Sequence, residues 1–364
     1  MNKLYVMIFI FLLTGCAEQR IIDDLALINA IGYDITDNND NPLKLSATFP
    51  IITKDGKYDR KTIIVNGKSG KEAREKIRNK TNLKLESGQI RVAMFGQELA
   101  EKGMRPLLNS LARDPSIGAR VKLALAEDEA SDILMLQIKN EGQNATYLEQ
   151  FLTKLNRENL RTNFNIYQFL RDYYDDGIDP ILPVFNVEKN NIAYNGIGLF
   201  NEDKLVKILE PVDARYLFLF REEMKRGVLV QQIQVEDETA SIMLSYELKG
   251  HEIKVNSAVS NQRSASIHID IIGDVLEYTG KEDVSDPKIQ KKIEKIITDN
   301  VNKEGKKIFL TLQKHQADPL GIGRYVRNHM TYNKWKALDW RQAYQDMTIK
   351  VDANVILNSS GKWK

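Results

Sequence analysis

Cysteine is the scarcest informative residue: Cys16 is alone among 364 residues. Without a second thiol no internal disulfide can form, although an exported protein would be allowed one. Charge of one sign is also missing in excess, since 52 basic residues face 50 acidic ones for a formal net charge of +2. That balance lacks the clustered basic surplus that a phosphate backbone demands, so nucleic acid is not an expected partner. Beyond residue 13 no apolar run approaches the roughly 20 helical residues needed to cross a bilayer. The four histidines, His251, His268, His315 and His329, have no metal-ligand spacing. His268 sits between Ile267 and Ile269, which places it on a solvent face. No G-x-S-x-G elbow is present. The expectation is therefore no catalytic residue, no cofactor and no metal site.

The N-terminus gives the lone cysteine a role. Lys3 precedes an unbroken apolar run from Leu4 to Leu13, too short to span a membrane but suited to a signal peptide. It ends in Leu13-Thr14-Gly15-Cys16, which resembles a bacterial lipobox. Residues 1–15 are expected to be a signal peptide, and Cys16 the lipid attachment site carrying a diacylglyceryl group. Two acyl chains anchor stably where one binds only marginally. From Ala17 to Asp23 the chain spans no more than about 25 Å, so the folded body is expected close to the lipid surface.

Three patterns that resemble chemical sites fail on inspection. Asn66-Gly67-Lys68-Ser69-Gly70 has the look of a phosphate loop, but the first glycine of that motif is replaced by Thr62. Ser69 and Glu72 read instead as a helix capping box. Gly196-Ile197-Gly198 and Gly321-Ile322-Gly323 begin dinucleotide fingerprints whose third glycines are Asn201 and Val326. The acidic run Asp172, Asp175, Asp176 and Asp179 suggests a calcium loop, yet Tyr174 and Pro183 occupy ligand positions. A helix end closed at Gly177 is the better reading.

The mature chain reads as α+β with two to three mixed α/β domains. An N-terminal region at 16–199, in two lobes, contains a βαβαβ unit near 60–130. A C-terminal α+β domain follows at 200–364. There Ile242, Leu244, Tyr246 and Leu248 alternate with polar residues, as do Ile267 to Ile271 and Met347 to Leu357; period two implies half-buried antiparallel strands. Ser285-Asp286-Pro287 opens a long helix with the stripe Ile289, Ile293, Ile296, Ile297, Val301, Ile308 and Leu312. Lys288, Lys291, Lys292 and Lys295 form its solvated face, or a docking face for anionic headgroups or an acidic partner. The expected C-terminal architecture is thus an antiparallel sheet with one long packed helix.

The order of segments resembles the Ger(x)C family, the lipoprotein C subunits of spore nutrient-germinant receptors. The likeness begins at the lipobox and Ile22-Asp23-Asp24-Leu25-Ala26. It continues through Asn29-Ala30-Ile31-Gly32-Tyr33-Asp34, Gly196-Ile197-Gly198-Leu199-Phe200 and Asp203-Lys204-Leu205-Val206. It is strongest in Leu312-Gln313-Lys314, Ala317-Asp318-Pro319-Leu320-Gly321-Ile322-Gly323, Trp335, Trp340 and the terminal strand closing at Gly361. Ala17 departs from the tryptophan that many members carry after the cysteine, and Ile267 to Gly273 is more hydrophobic than usual. The resemblance implies three mixed α/β domains and two partners, a receptor A subunit with membrane spans and a permease-like B subunit that carries germinant specificity. It further implies a non-enzymatic, lipid-anchored accessory subunit in the spore inner membrane, needed for nutrient-triggered germination. A solute-binding lipoprotein serving a membrane transporter is the alternative of another class, and a lipid-anchored cell-wall enzyme a third.

Overall fold

The structure, a computed structural model, describes residues 25–52, 55, 58–136, 144–157, 163–221, 225–235, 238–256 and 263–358. Cys16, the tether that follows it and Gly361 lie outside the described residues. The first part of the chain runs β1 (Leu25–Leu27), β2 (Ala30–Ile35), β3 (Leu43–Ile52), β4 (Tyr58–Gly67), α1 (Gly70–Arg78), β5 (Lys84–Glu86) and β6 (Val92–Gly96). It continues through α2 (Gln97–Lys102), α3 (Arg105–Ala112), β7 (Lys122–Ala126), α4 (Ala130–Met135), α5 (Asn144–Arg157), α6 (Ile166–Tyr174), β8 (Ile181–Glu188), β9 (Asn191–Asn201) and β10 (Lys204–Leu209).

Eight of these strands form one mixed sheet in the order β10-β9-β8-β7-β6-β2-β3-β4. The four central strands are parallel, and antiparallel pairs flank them on both sides. Central strands of this kind need apolar residues on both faces, because helices cover both. In β6, Ala93 and Phe95 join the main core, while Val92 and Met94 join a second cluster with Leu148 and Leu152 of α5 and Ile133 and Leu134 of α4. The β8–β9 hairpin turns on Lys189 and Asn190, both at positive φ (47° and 64°), as the twist of a two-residue hairpin turn requires. β1 and β5 form a separate two-stranded parallel sheet.

The rest of the chain is α7 (Pro211–Phe220), β11 (Arg226–Val235), β12 (Glu238–Asn256), β13 (Ser264–Tyr278), α8 (Pro287–Lys314), α9 (Ile322–Asn328), α10 (Tyr332–Lys336), α11 (Trp340–Gln345) and β14 (Thr348–Leu357). The expected period-two strands are β12, β13 and β14. The expected long helix is α8, whose N-cap Asp286 accepts from the Lys288 N–H at 2.7 Å with Pro287 following. At about 1.5 Å per residue it is roughly 42 Å long. Ile293, Ile297, Val301, Ile308 and Leu312 are buried against the sheet, and Ile289 and Ile296 pack at its margin. Gly305 lets α8 approach closely: a Cβ there would lie 2.6 Å from the Phe220 ring and 2.9 Å from Val351.

The sheet departs from an all-antiparallel plan at one edge. β11, β12 and β13 are antiparallel neighbours, but β14 joins β13 in parallel, with Thr348 opposite Ser264. The cause is the crossover. α8 carries the chain back along the sheet, and the three short helices after it deliver the chain to the end where β13 began, as parallel pairing requires.

Candidate functional site

The acidic run at the end of α6 is where the two large sheets meet. Asp172 pairs with its neighbour Arg171 at 2.6 Å, and the run is otherwise taken up by cations from far along the chain. Asp172 lies 3.4 Å from Arg221, Asp175 accepts from Arg327 at 2.7 Å, and Asp176 accepts from Lys336 at 2.7 Å and from the Trp335 indole at 3.3 Å. Asp179 takes both guanidinium nitrogens of Arg341, one at 2.7 Å and the other closer. The run is therefore a counter-ion strip, and among the described residues no group of three or more His, Cys, Asp or Glu is placed to hold a metal.

Two Asp-Pro steps meet at its centre. The Asp179 N–H donates to the Asp318 carbonyl at 2.9 Å, and the Asp318 N–H donates to the Asp179 carboxylate at 2.7 Å. A residue before proline is steered to extended backbone, which suits this reciprocal pairing. Asp179 also accepts from the Glu202 N–H at 3.1 Å. The Asp318 side chain accepts from Ile322 and Gly323 N–H at 3.0 and 2.7 Å and so caps α9. Burial pushes the Asp318 carboxyl up to about 7, against the pull of those two N–H donors.

Glycine is required where the backbones touch. Gly177 is at φ 93° and its carbonyl accepts from Arg324 N–H at 3.1 Å. A Cβ on Gly323 would lie 2.6 Å from Gly177 Cα and 2.7 Å from the Trp340 indole. Trp335, Trp340 and Tyr344 pack in series, with centroids 5.7 and 5.5 Å apart. Gln313, buried near the end of α8, donates to the Tyr344 and Met347 carbonyls at 2.8 and 2.7 Å. Above this node opens a cleft of about 530 Å³ lined by Arg105, Tyr173, Tyr174, Asp176, Trp335 and Lys336. Tyr174 is 64% exposed beside it, and Lys336 lies 5.8 Å over the ring of the exposed Tyr332. Aromatic faces beside arginine and lysine on a concave surface are the makings of a protein-docking surface.

The structure brings together the Gln313, Asp318–Gly323, Trp335 and Trp340 segments, which lie apart in the sequence. Sequence reasoning missed that Asp179, Asp318 and Arg341 are partners. The available signal was a run of carboxylates with few cations nearby, together with two Asp-Pro steps. The other motifs take local roles. Ser69 Oγ accepts from Glu72 N–H at 3.2 Å, and the Glu72 carboxylate accepts from Lys68 N–H at 3.1 Å, closing the capping box one residue early. Gly196 sits at φ 115° in β9, where a Cβ would strike the Leu209 carbonyl. His268 lies on the outer face of the C-terminal sheet between Asp352 and Asp270, at 2.8 and 3.2 Å. The Asp352 hydrogen bond is the main reason that its imidazole is held above the ordinary range.

Residues 18–187 match the family model described as the spore germination protein N-terminal domain, and residues 195–361 the one described as spore germination B3/GerAC like, C-terminal. The chain is similar to spore germination protein GerQC of Bacillus cereus, 28% identical over 366 residues and covering 98% of each chain. It is also similar to the spore germination protein KC of Bacillus subtilis (strain 168), at 21% identity, with 98% of this chain and 94% of that one covered. Its fold matches the crystal structure of the GerBC protein with a TM-score of 0.58 at 18% identity, over 92% of this chain and 99% of that one.

Proposed function

The chain belongs to the Ger(x)C family of spore germination proteins, and from that premise we propose that it is the lipid-anchored accessory C subunit of a germinant receptor complex. Its role lies in spore germination. In this reading residues 1–15 are removed and Cys16 carries the diacylglyceryl anchor on the outer face of the spore inner membrane. The partners are an A subunit with membrane spans and a permease-like B subunit. The subunit performs no chemistry of its own and leaves nutrient recognition to the permease-like partner.

The observation that carries this reading is the convergence of the motif residues on one buried node, not on a catalytic constellation. Asp179, Asp318 and Arg341 clamp the C-terminal sheet to the eight-stranded sheet, and Gly177 seats against Gly323. The clamp fixes the backbone segments that carry the aromatic and basic side chains around the cleft. A surface with its backbone already in place suits assembly, because no segment has to be ordered on binding.

Affinity capture of the tagged, full-length protein from spore membranes tests the proposal. The A and B subunits should be recovered together, and charge reversal at Lys336 should weaken recovery without unfolding the chain. Calorimetric titration with a germinant panel should give no heat of binding. Tight binding of one amino acid or sugar, with no recovery of receptor subunits, would favour the solute-binding lipoprotein instead.

A further inference from the structure

A groove of about 790 Å³ lies far along the sequence from the Asp179–Asp318 node, between α1 and α3. Lys71, Arg74 and Arg78 recur at helical spacing along one face of α1 and line it, with Arg113 from the end of α3 opposite. The acidic residues that line the groove are Glu75, Glu86 and Asp114. Glu75 is held by Arg78 at 3.0 Å. Asp114 is turned toward its own loop, accepting from the Ser116 hydroxyl at 2.6 Å and the Ser116 N–H at 3.1 Å.

The cations are not fully matched. Asp114 lies 3.6 Å from Arg74 Nη1, and that buried nitrogen has no hydrogen-bond acceptor among the described residues. Held only at this distance by Asp114 and at 3.5 Å by the Ser110 hydroxyl, the guanidinium leaves positive potential in the wall of the groove. Lys71 and Arg113, both exposed at the mouth, have no counter-ion among the described residues. The groove thus carries exposed, unpaired charge at its rim over a largely buried guanidinium in its wall, an arrangement suited to a phosphate.

The groove also opens where the tether begins. Its lining residues Leu85 and Glu86 are the β-partners of Ala26 and Leu27, and Leu25 pairs with Lys84. Lys84 and Arg78 share a second, adjoining cleft. From Cys16 to Leu25 the chain can reach no more than about 32 Å.

We propose that this groove is the face with which the protein rests on its membrane, holding the phosphate of an anionic phospholipid headgroup among Lys71, Arg78 and Arg113, with Arg74 behind them. The inference rests on the Cys16 anchor proposed above, which limits how far this end of the body can stand from the bilayer. It places α1 and α3 on the lipid rather than the lysine face of α8.

Full-length lipidated protein, reconstituted in vesicles, provides the test. Flotation with pure phosphatidylcholine vesicles reports the anchor alone; failure to float overturns the anchor and the placement that depends on it. Orientation is then read by quenching of a fluorophore by headgroup-labelled nitroxide lipid. Cys16 being acylated, an introduced Pro115→Cys at the groove or Gln232→Cys on the outer face of the C-terminal sheet is the single free thiol. In phosphatidylglycerol–phosphatidylcholine vesicles the label at 115 should be quenched and the label at 232 should not. Lys71→Glu, Arg78→Glu and Arg113→Glu together should reduce that quenching about fivefold or more, since each cation at an anionic surface is worth about fivefold in population. Their circular dichroism should be unchanged because all three side chains are exposed. Glutamate at Lys288, Lys291, Lys292 and Lys295 should leave the quenching intact. Flotation with equal quenching at both labels, an unaffected triple variant, or loss of quenching in the α8 variant would each overturn the groove while leaving the anchor standing.

Discussion

Replacing Asp318 by asparagine isolates the electrostatics of the buried node. The Asp318 carboxyl is fully buried and pushed up to about 7 from 3.8, chiefly by loss of solvation. In the unfolded chain it titrates near pH 4. Between those limits the folded protein holds a proton that the unfolded chain has released, so stability falls as pH rises through the window. The difference of roughly 3 pKa units corresponds to about 4 kcal/mol at about 1.36 kcal/mol per unit, fully expressed only above the folded pKa. Asparagine keeps the volume and removes the titration. It also turns an amide NH₂ toward one of the Ile322 and Gly323 N–H donors, which costs about 1–3 kcal/mol at acidic pH. Urea unfolding followed by circular dichroism, from about pH 5 to about pH 8, should show wild type losing stability faster than Asp318→Asn. The two curves should approach or cross near the upper end. Subtracting one curve from the other cancels the remaining titrating groups. A constant offset at every pH would refute the reasoning, because Asp318 would then not change protonation in this range.

The backbone contact at the same node predicts that Gly323→Ala lowers stability by about 1–3 kcal/mol or more, since the added methyl would meet Gly177 Cα at 2.6 Å with no flexible side chain to yield; an unchanged urea midpoint would count against it. On the long helix, Ile297→Ala should cost about 2–5 kcal/mol from a fully buried position, while Leu310→Ala, 58% exposed on the same helix, should cost little. Equal losses at the two positions in thermal unfolding would mean that α8 does not pack by the stripe described. At the N-terminus, Cys16→Ala should leave an unprocessed precursor and abolish fatty-acid labelling in the native host, and equal labelling of variant and wild type would remove the anchor from the proposed function.

The elements legible in the sequence were those specified by neighbours. α8 announces itself because Asp286 and Pro287 are a local start signal and its isoleucines recur every three or four residues. β12, β13 and β14 are visible for the same reason at period two, and the Ser69–Glu72 cap needs only four consecutive residues. Local rules also excluded a phosphate loop at Lys68, because the missing glycine at position 62 is a local fact. Tertiary structure decided how those pieces join. The alternation in β14 shows which face is buried, but its parallel pairing with β13 depends on where α8 and the short helices return the chain. The order of the eight-stranded sheet is likewise set by both-face burial of β6, β7 and β8, which a short apolar run does not encode. The clearest case is the acidic run from Asp172 to Asp179. Sequence spacing shows carboxylates crowded together beside a single neighbouring Arg171 and suggests a cation; only the fold shows that the remaining partners are Arg221, Arg327, Lys336 and Arg341. Charges from such distant points in the chain meet because burying the apolar faces of two sheets forces their loops together, and Coulomb attraction, strengthened where water is excluded, selects the pairs that survive.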